Sequence, residues 1–365
     1  MRRNNIGVVD QLRVNVVSES EFSVQGHGVH TAFLEMRGAL ASRPDIDLLV
    51  NAKPSAAADI THLHTFGTFA LKRLLARQGG KRVVSAHVVP DSLRGSLVGA
   101  GWWVPVFKYY LRWFYNRADL LLAVSDYTKQ QLLALKVKAP IAVLENSIDT
   151  TRYASTPELK AAARASLGFS TDDFIVAGNG QVQPRKRFDS FIDVAKQMPD
   201  TRFVWIGGIP FGALGADYPH MTRLISHAPA NVLVTGVIPL DDVCSYLAAA
   251  DVFFNPSAQE TFGLSIIEAA AAGLPVVVRD IHDYDATFGE HVLRGDDANF
   301  ASLITSLRDP ARRAEWSDQS LKLAAKYDSA AMTEKLVRLY RGLLPHGDGN
   351  QQTADQPDEH ADHDL

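Results

Sequence analysis

From residue 174 to residue 279 the sequence alternates between short apolar runs and amphipathic stretches, with little else between them. Segments 174–179, 202–207, 231–236, 252–255 and 275–279 read as strands, and 188–198, 219–227, 240–250 and 264–273 as helices. Such a rhythm leaves few options. It implies a parallel sheet with helices on both faces, which binds ligands beyond the carboxyl ends of its strands. The first half repeats the pattern less regularly. Strands or strand ends fall at 12–17, 59–64, 82–87, 120–125 and 141–144, and a helix at 31–40. The expectation is an α/β chain of two Rossmann-like, doubly wound domains facing across a cleft.

With 365 residues, 46% of them hydrophobic, the chain can build two ordinary cores. Domain boundaries are expected at 1–150 and 151–330, with a linker near 146–171, a helix at 331–344 that crosses back, and a tail at 345–365. That tail holds six acids and no Lys or Arg, and is expected to stay unfolded. Of the 41 acids in the chain 35 lie outside it, against 37 basic residues, so the body is nearly neutral and nucleic acid is not an expected partner. Cys244 is the single cysteine, which excludes an internal disulfide and fits a reducing cytoplasm. Arg2 and Arg3 precede no apolar stretch of signal-peptide length, and Leu97 to Phe107 is about half a membrane span.

One stretch concentrates the chemistry. Val252-Phe253-Phe254 reads as a buried strand stopped by Pro256 and Ser257, and a helical pattern starts at Leu264. A helix start at Gly263, Leu264 and Ser265 offers oriented N–H donors and a positive dipole end, a seat for phosphate. Glu260 and Glu268 flank that seat. Carboxylates beside a phosphate must face another part of the ligand, and sugar hydroxyls suit them. Gly178 to Arg187 forms a second strand-to-helix turn, with three consecutive cations, Arg185, Lys186 and Arg187, that could sit on a diphosphate. Gly207-Gly208 is a strand-to-loop pair able to admit a nucleotide. In the first half Gly26 and Gly28 belong to a G-x-G-x-x-T turn without the third glycine of a dinucleotide fingerprint. His64 and His87 end two strands, where ligands bind, whereas His62 is expected to point away because strand neighbours alternate.

Two Glu separated by seven residues and flanking Phe262-Gly263-Leu264 resemble the acidic signature of retaining GT-B glycosyltransferases of family 4. Gly-Gln-Val-Gln-x-Arg-Lys at 180–186, Phe203-Val204-Trp205, Val278-Arg279-Asp280 and Ser92-Leu93-Arg94-Gly95-Ser96 look like its subgroup of bacterial diacylglycerol α-glucosyltransferases. The resemblance spans roughly residues 10–340. It implies a GT-B fold, UDP-glucose as donor and a diacylglycerol as acceptor. On this reading Glu260 and His87 are the catalytic residues beside the sugar. Lys186 and the amides of Gly263 and Leu264 serve the diphosphate, Glu268 the ribose, and Gly207, Gly208, Val237 and Ile238 the nucleotide, with Phe262 also on the donor side. Gln181 stands where the family usually has Arg, and Arg185 could compensate. Gly26, Gly28 and His64 fall on the acceptor side.

The expected reaction is hexose transfer with retention to a membrane lipid, without cofactor or metal, since no cluster of oxygen ligands is apparent. Three alternatives stay open: another acceptor such as phosphatidylinositol, a glycolipid or a polysaccharide; a silent GT-B-like membrane protein; and a dinucleotide-dependent dehydrogenase. The expected place is the cytoplasmic face of the membrane. Trp102 and Trp103, on a loop or helix start beside Lys108 and Arg112, suit an anionic surface, whereas Phe107, Tyr110, Leu111 and Phe114 form a core stripe.

Overall fold

The computed structural model describes residues 11–22, 28–76, 80–89, 100–209, 217–285 and 287–345, the side chains of 100–105 and 283 excepted. Gly26, the Ser92–Ser96 motif and the acidic tail from residue 346 lie outside the described residues.

The first sheet comprises β1 (Leu12–Val17), β2 (Ile46–Val50), β3 (Ile60–Leu63), β4 (Lys81–Ala86), β5 (Leu120–Ala123) and β6 (Ile141–Val143). All its pairings are parallel, in the order β2-β1-β3-β4-β5-β6. Its helices are α1 (Gly28–Ala41), α2 (Thr68–Leu74), α3 (Ala100–Tyr115) and α4 (Asp126–Ala134). Two short helices, α5 (Thr150–Tyr153) and α6 (Pro157–Leu167), lead to the second sheet. The ends of α6 are encoded locally: Thr156 caps its first turn, Pro157 supplies a fixed φ at its start, and Gly168 ends it in the left-handed region. Asp251 binds α6 to the second sheet, accepting from Lys160 and Arg164 at 2.7 Å each and from the Ile175 amide at 2.8 Å.

The second sheet comprises β7 (Ile175–Asn179), β8 (Arg202–Ile206), β9 (Val232–Val234), β10 (Val252–Asn255), β11 (Val276–Arg279) and β12 (Leu293–Gly295), in the order β12-β11-β10-β7-β8-β9, again parallel. Around it lie α7 (Phe188–Gln197), α8 (Tyr218–Ser226), α9 (Leu240–Ala249), α10 (Leu264–Ala271), α11 (Phe300–Ser306) and α12 (Pro310–Lys326). The last helix, α13 (Ser329–Gly342), packs Leu336, Val337 and Tyr340 against Val14, Phe33 and Leu122 of the first domain.

Both faces of the second sheet are covered, which is why its strands read as unbroken apolar runs. Side-chain alternation sends Phe253 into one core and Phe254 into the other. Phe254 stacks on Phe191, which meets Trp205 and Phe203 edge-on. Each such buried ring contributes about 1.5–3 kcal/mol.

The strand orders place the binding regions. In the second sheet the chain reverses direction of growth between β7 and β10, so a crevice opens between their carboxyl ends; in the first sheet the reversal lies between β1 and β3. The two carboxyl edges meet. Ser125, just after β5, donates its hydroxyl to the carbonyl of Thr261, just after β10, at 3.1 Å.

Candidate active site

The β7/β10 crevice brings the basic turn onto the acidic loop. Lys186, on a short 3-10 turn opened by Pro184, hydrogen-bonds through Nζ to Glu260 Oε1. Arg185 reaches Glu260 Oε2 at 3.4 Å and the Gln259 carbonyl at 3.2 Å, and its own carbonyl accepts from the Ala258 amide at 2.8 Å. Arg187 turns away to Asp189 and Asp297, so two of the three cations face the crevice. Glu260 and Lys186 are both buried. Burial alone would raise the Glu260 pKa, but the charges of Lys186 and Arg185 outweigh it and bring it down to about 2. Burial lowers the Lys186 pKa, against the pull of Glu260. A paired cation and anion thus wait at the mouth of α10.

Gly263 holds φ +88 ahead of α10, which is why a glycine stands there. A Cβ would also come within 3.1 Å of Ile266 and Phe288. Phe262 and Leu264 are buried in the core, Phe262 edge-on to Tyr327, so their side chains support the loop from behind. Glu268, one turn along α10, accepts from Asn179 Nδ2 at 3.0 Å at the end of β7. Burial pushes its pKa up to about 7, the charge of Glu35 adding to the effect, while Asn179, Arg152 and Lys186 oppose it. Glu35 comes from α1 of the first domain and accepts from the Asp149 amide at 2.9 Å, with Arg152 at 3.6 Å. This interdomain acid had no signal in the sequence beyond a charge on a helix.

Gly207 and Gly208 answer to backbone. A Cβ on Gly207, at φ +132, would lie 2.2 Å from the Gly180 carbonyl oxygen, and one on Gly208 3.1 Å from Gly236. Gln181 and Gln183 are buried side by side, Gln183 Nε2 donating to Gln181 Oε1. Gln183 belongs to the 180–186 motif, but its contact with Gln181 escaped the sequence. So did the support that Arg279 gives: it donates to the Pro256 carbonyl at 2.8 Å and to Ser190 at 3.0 Å, fixing the end of β10 beneath the acidic loop. Val237 is exposed, and Ile238 packs on the core.

Across from this crevice, His64 and His87 end β3 and β4, with His64 Nδ1 3.2 Å from His87 Nε2. His62 corrects the expectation that it points away: residues two apart on a strand share a face, and its ring centroid lies 4.5 Å from that of His64. Gly28 opens α1. Trp102 and Trp103 lie in the first turn of α3, where only the backbone is described. Leu111 and Phe114 are fully buried, and Phe107 and Tyr110 pack on the same cluster. The opposite face of α3 exposes Val106, Tyr109 and Trp113, with Lys108 and Arg112 half-buried beside them. Among the described residues no helix is long and apolar enough to cross a membrane, and no group of three or more His, Cys, Asp or Glu could hold a metal ion.

Residues 16–152 match the family described as Glycosyltransferase Family 4, and residues 171–309 the one described as Glycosyl transferases group 1. The chain belongs to the GT-B glycosyltransferases of family 4, and it is a sugar-transferring enzyme. It is 30% identical over 339 residues to the alpha-galactosylglucosyldiacylglycerol synthase of Streptococcus pneumoniae (strain ATCC BAA-255 / R6), covering 88% of this chain and 90% of that protein. It is 28% identical over 339 residues to the processive diacylglycerol alpha-glucosyltransferase of Acholeplasma laidlawii, covering 91% and 99%. Among solved structures, Anabaena HepE in complex with UDP-glucose superposes with a TM-score of 0.72 at 17% identity, over 91% of this chain and all of that one, a likeness of fold.

Proposed function

We propose that this enzyme transfers glucose from UDP-glucose, with retention of the anomeric configuration, to a hydroxyl of 1,2-diacylglycerol at the inner face of the cell membrane. The observation that carries the reading is the Lys186–Glu260 pair at the start of α10, with Glu268 one turn further on. The names of the two lipid glycosyltransferases above support the acceptor class.

Lys186 and the first amides of α10 hold the diphosphate, Glu260 a sugar hydroxyl, and Glu268 the ribose. His87 meets the sugar from the first domain. The acceptor hydroxyl attacks C1 on the face from which the diphosphate leaves. The C1–O bond to phosphate breaks as the new C1–O bond forms, and the acceptor proton passes to the departing phosphate oxygen. Charge growing on that oxygen is met by donors already in place, which is where fixed dipoles and cations count most. In this account Lys186 does the work a metal does elsewhere, so turnover should continue in EDTA; complete loss, restored by magnesium or manganese, would sink it.

The deciding experiment incubates the purified protein with UDP-glucose and mixed vesicles of diacylglycerol and phosphatidylinositol, followed by mass spectrometry of the lipids. A hexosyl-diacylglycerol with α linkage by NMR is the expected product. Glycosylated phosphatidylinositol alone would replace the acceptor, and a β linkage would overturn retention.

A further inference from the structure

Three histidines are packed behind the cleft edge of the first sheet, and two of them are not explained by packing. His62 is fully accounted for: Nδ1 lies 2.6 Å from the Tyr340 hydroxyl of α13, and Nε2 2.8 Å from Ser85 Oγ. His64 is different. Its Nδ1 lies 3.2 Å from His87 Nε2, while its own Nε2 is buried without a hydrogen-bond partner. The His64 ring is held on three sides. His87 stacks within 24° of parallel at 5.4 Å, His62 stands at 4.5 Å, and Phe33 meets it in a T-shaped contact at 5.4 Å.

One proton lies between His64 and His87, and either ring could own it. If His87 donated it, neutral His64 would carry its proton on Nε2, a donor sealed away with nothing to accept it. A buried, orphaned N–H is the rarer and costlier kind of unsatisfied group. If His64 donates it, the orphan is a lone pair. The same orphan argument keeps a proton off His87 Nε2, and burial, with the neighbouring imidazoles, holds His64 well below the usual imidazole range.

We infer that His64 is a positioning residue for the transfer reaction: its Nδ1–H donates to His87 Nε2 and fixes His87 as the Nδ1–H tautomer. His87 then meets the sugar as a neutral hydrogen-bond donor, with the nitrogen that could have acted as a base already engaged. That fits a reaction in which the acceptor proton leaves on the phosphate and no protein base is needed. The functional consequence rests on the proposed placing of His87 at the donor sugar, whereas the tautomer rests on the geometry alone.

The test uses the full-length protein labelled with 15N in its histidine rings, with long-range 1H–15N spectra to read each tautomer. The His87 signals are assigned by their loss in His87→Gln. In the parent, His87 should show a protonated Nδ1 and an unprotonated Nε2; a protonated Nε2 overturns the inference without any substitution at His64. In His64→Leu, His87 should shift toward the Nε2–H tautomer, and kcat should fall about tenfold or more with KM for UDP-glucose within about twofold, as expected for lost preorganisation. His64→Asn places an amide N–H where Nδ1–H stood, and should restore both the tautomer and most of kcat. Parent kcat in a folded His64→Leu protein also overturns the inference. The predicted tautomer in a protein that turns over no sugar donor would uphold the His64–His87 hydrogen bond but defeat the proposed function and the positioning role that rests on it.

Discussion

Glu260 and Lys186 illustrate how a residue's partner decides what its removal costs. Both are buried and each neutralises the other. Glu260→Ala or Lys186→Ala should lower turnover about a hundredfold or more, the usual effect of losing a preorganised charge. Each should also lower stability by about 3 kcal/mol, because one buried charge is left alone. The double variant should unfold at a higher denaturant concentration than the two single losses added together would allow, and simple additivity would refute the coupling. Arg185→Ala should cost less activity, as Arg185 sits farther from Glu260 and also serves the Gln259 carbonyl. If Arg185→Ala is the dead variant, Lys186 is not the main diphosphate ligand.

Glu268 carries the pH dependence. With its pKa raised from 4.5 to about 7, the folded protein keeps a proton that the unfolded chain has already released. The sign follows: stability from this group is present below pH 4.5 and is lost as pH rises to about 7, by about 3 kcal/mol. Glu260 works the other way, its contribution present above pH 4.5 and lost as pH falls toward 2. In the proposed role Glu268 accepts from ribose hydroxyls when ionised, so UDP binding should weaken below about pH 7. Glu35→Gln removes the like charge across the domain boundary, and calorimetry should find that fall at a lower pH. An unmoved midpoint would mean Glu35 does not act on Glu268.

At the scale of elements, the strand–helix alternation made the second domain readable almost element by element, since a sheet buried on both faces leaves long apolar runs. Shorter or mixed segments did not show. β2 is Ile46-Asp47-Leu48-Leu49-Val50 at the sheet edge, and β12 has three residues, Leu293, Arg294 and Gly295. The acidic loop and basic turn could each be recognised as sites, but their meeting depends on β7 and β10 being neighbours, which no local pattern records. Glu35 lacked a signal because its partners are brought to it only by the fold, and Arg279 could be read as part of a motif while its hold on Pro256 and Ser190 could not. The Gly207-Gly208 pair was visible, but the pressing neighbours, Gly180 and Gly236, were not. Gly207→Ala should therefore cost about 3 kcal/mol or more, since strain and overpacking add at one position. Denaturant titration checks it, and a loss below about 1 kcal/mol would show that the backbone relaxes there.

For the whole molecule, the question is how an enzyme without a described spanning helix would reach an acceptor that stays in a bilayer. In the proposed arrangement α3 is the foot. One side of it is spoken for, with Leu111 and Phe114 fully buried and Phe107 and Tyr110 packed beside them. The other side leaves Val106 72%, Tyr109 75% and Trp113 38% exposed, three positions on one stripe at helical spacing. Arg117 lies over the Trp113 ring at 3.5 Å, and Lys108 and Arg112 flank the stripe. Amphipathic rings with cations alongside match a headgroup region, where each cation near an anionic surface contributes about 1 kcal/mol. Tyr109 is exposed and Trp113 stacks at the rim of the core, on Tyr110 at 6.1 Å, so both can be removed with the protein still folded. Tyr109→Ser/Trp113→Ser should therefore keep the thermal transition of the parent while binding to anionic liposomes falls several-fold. Glycosylation of diacylglycerol in vesicles should fall with it, and UDP-glucose affinity should not. Raising the salt should weaken binding by the parent, because the Lys and Arg part of the attraction is screened within about 10 Å at 0.1 M. Trp102→Ala/Trp103→Ala extends the test to the first turn of α3. Unchanged liposome binding in both double variants, with folding intact, would remove α3 from the membrane and leave the acceptor's route to the cleft to another surface.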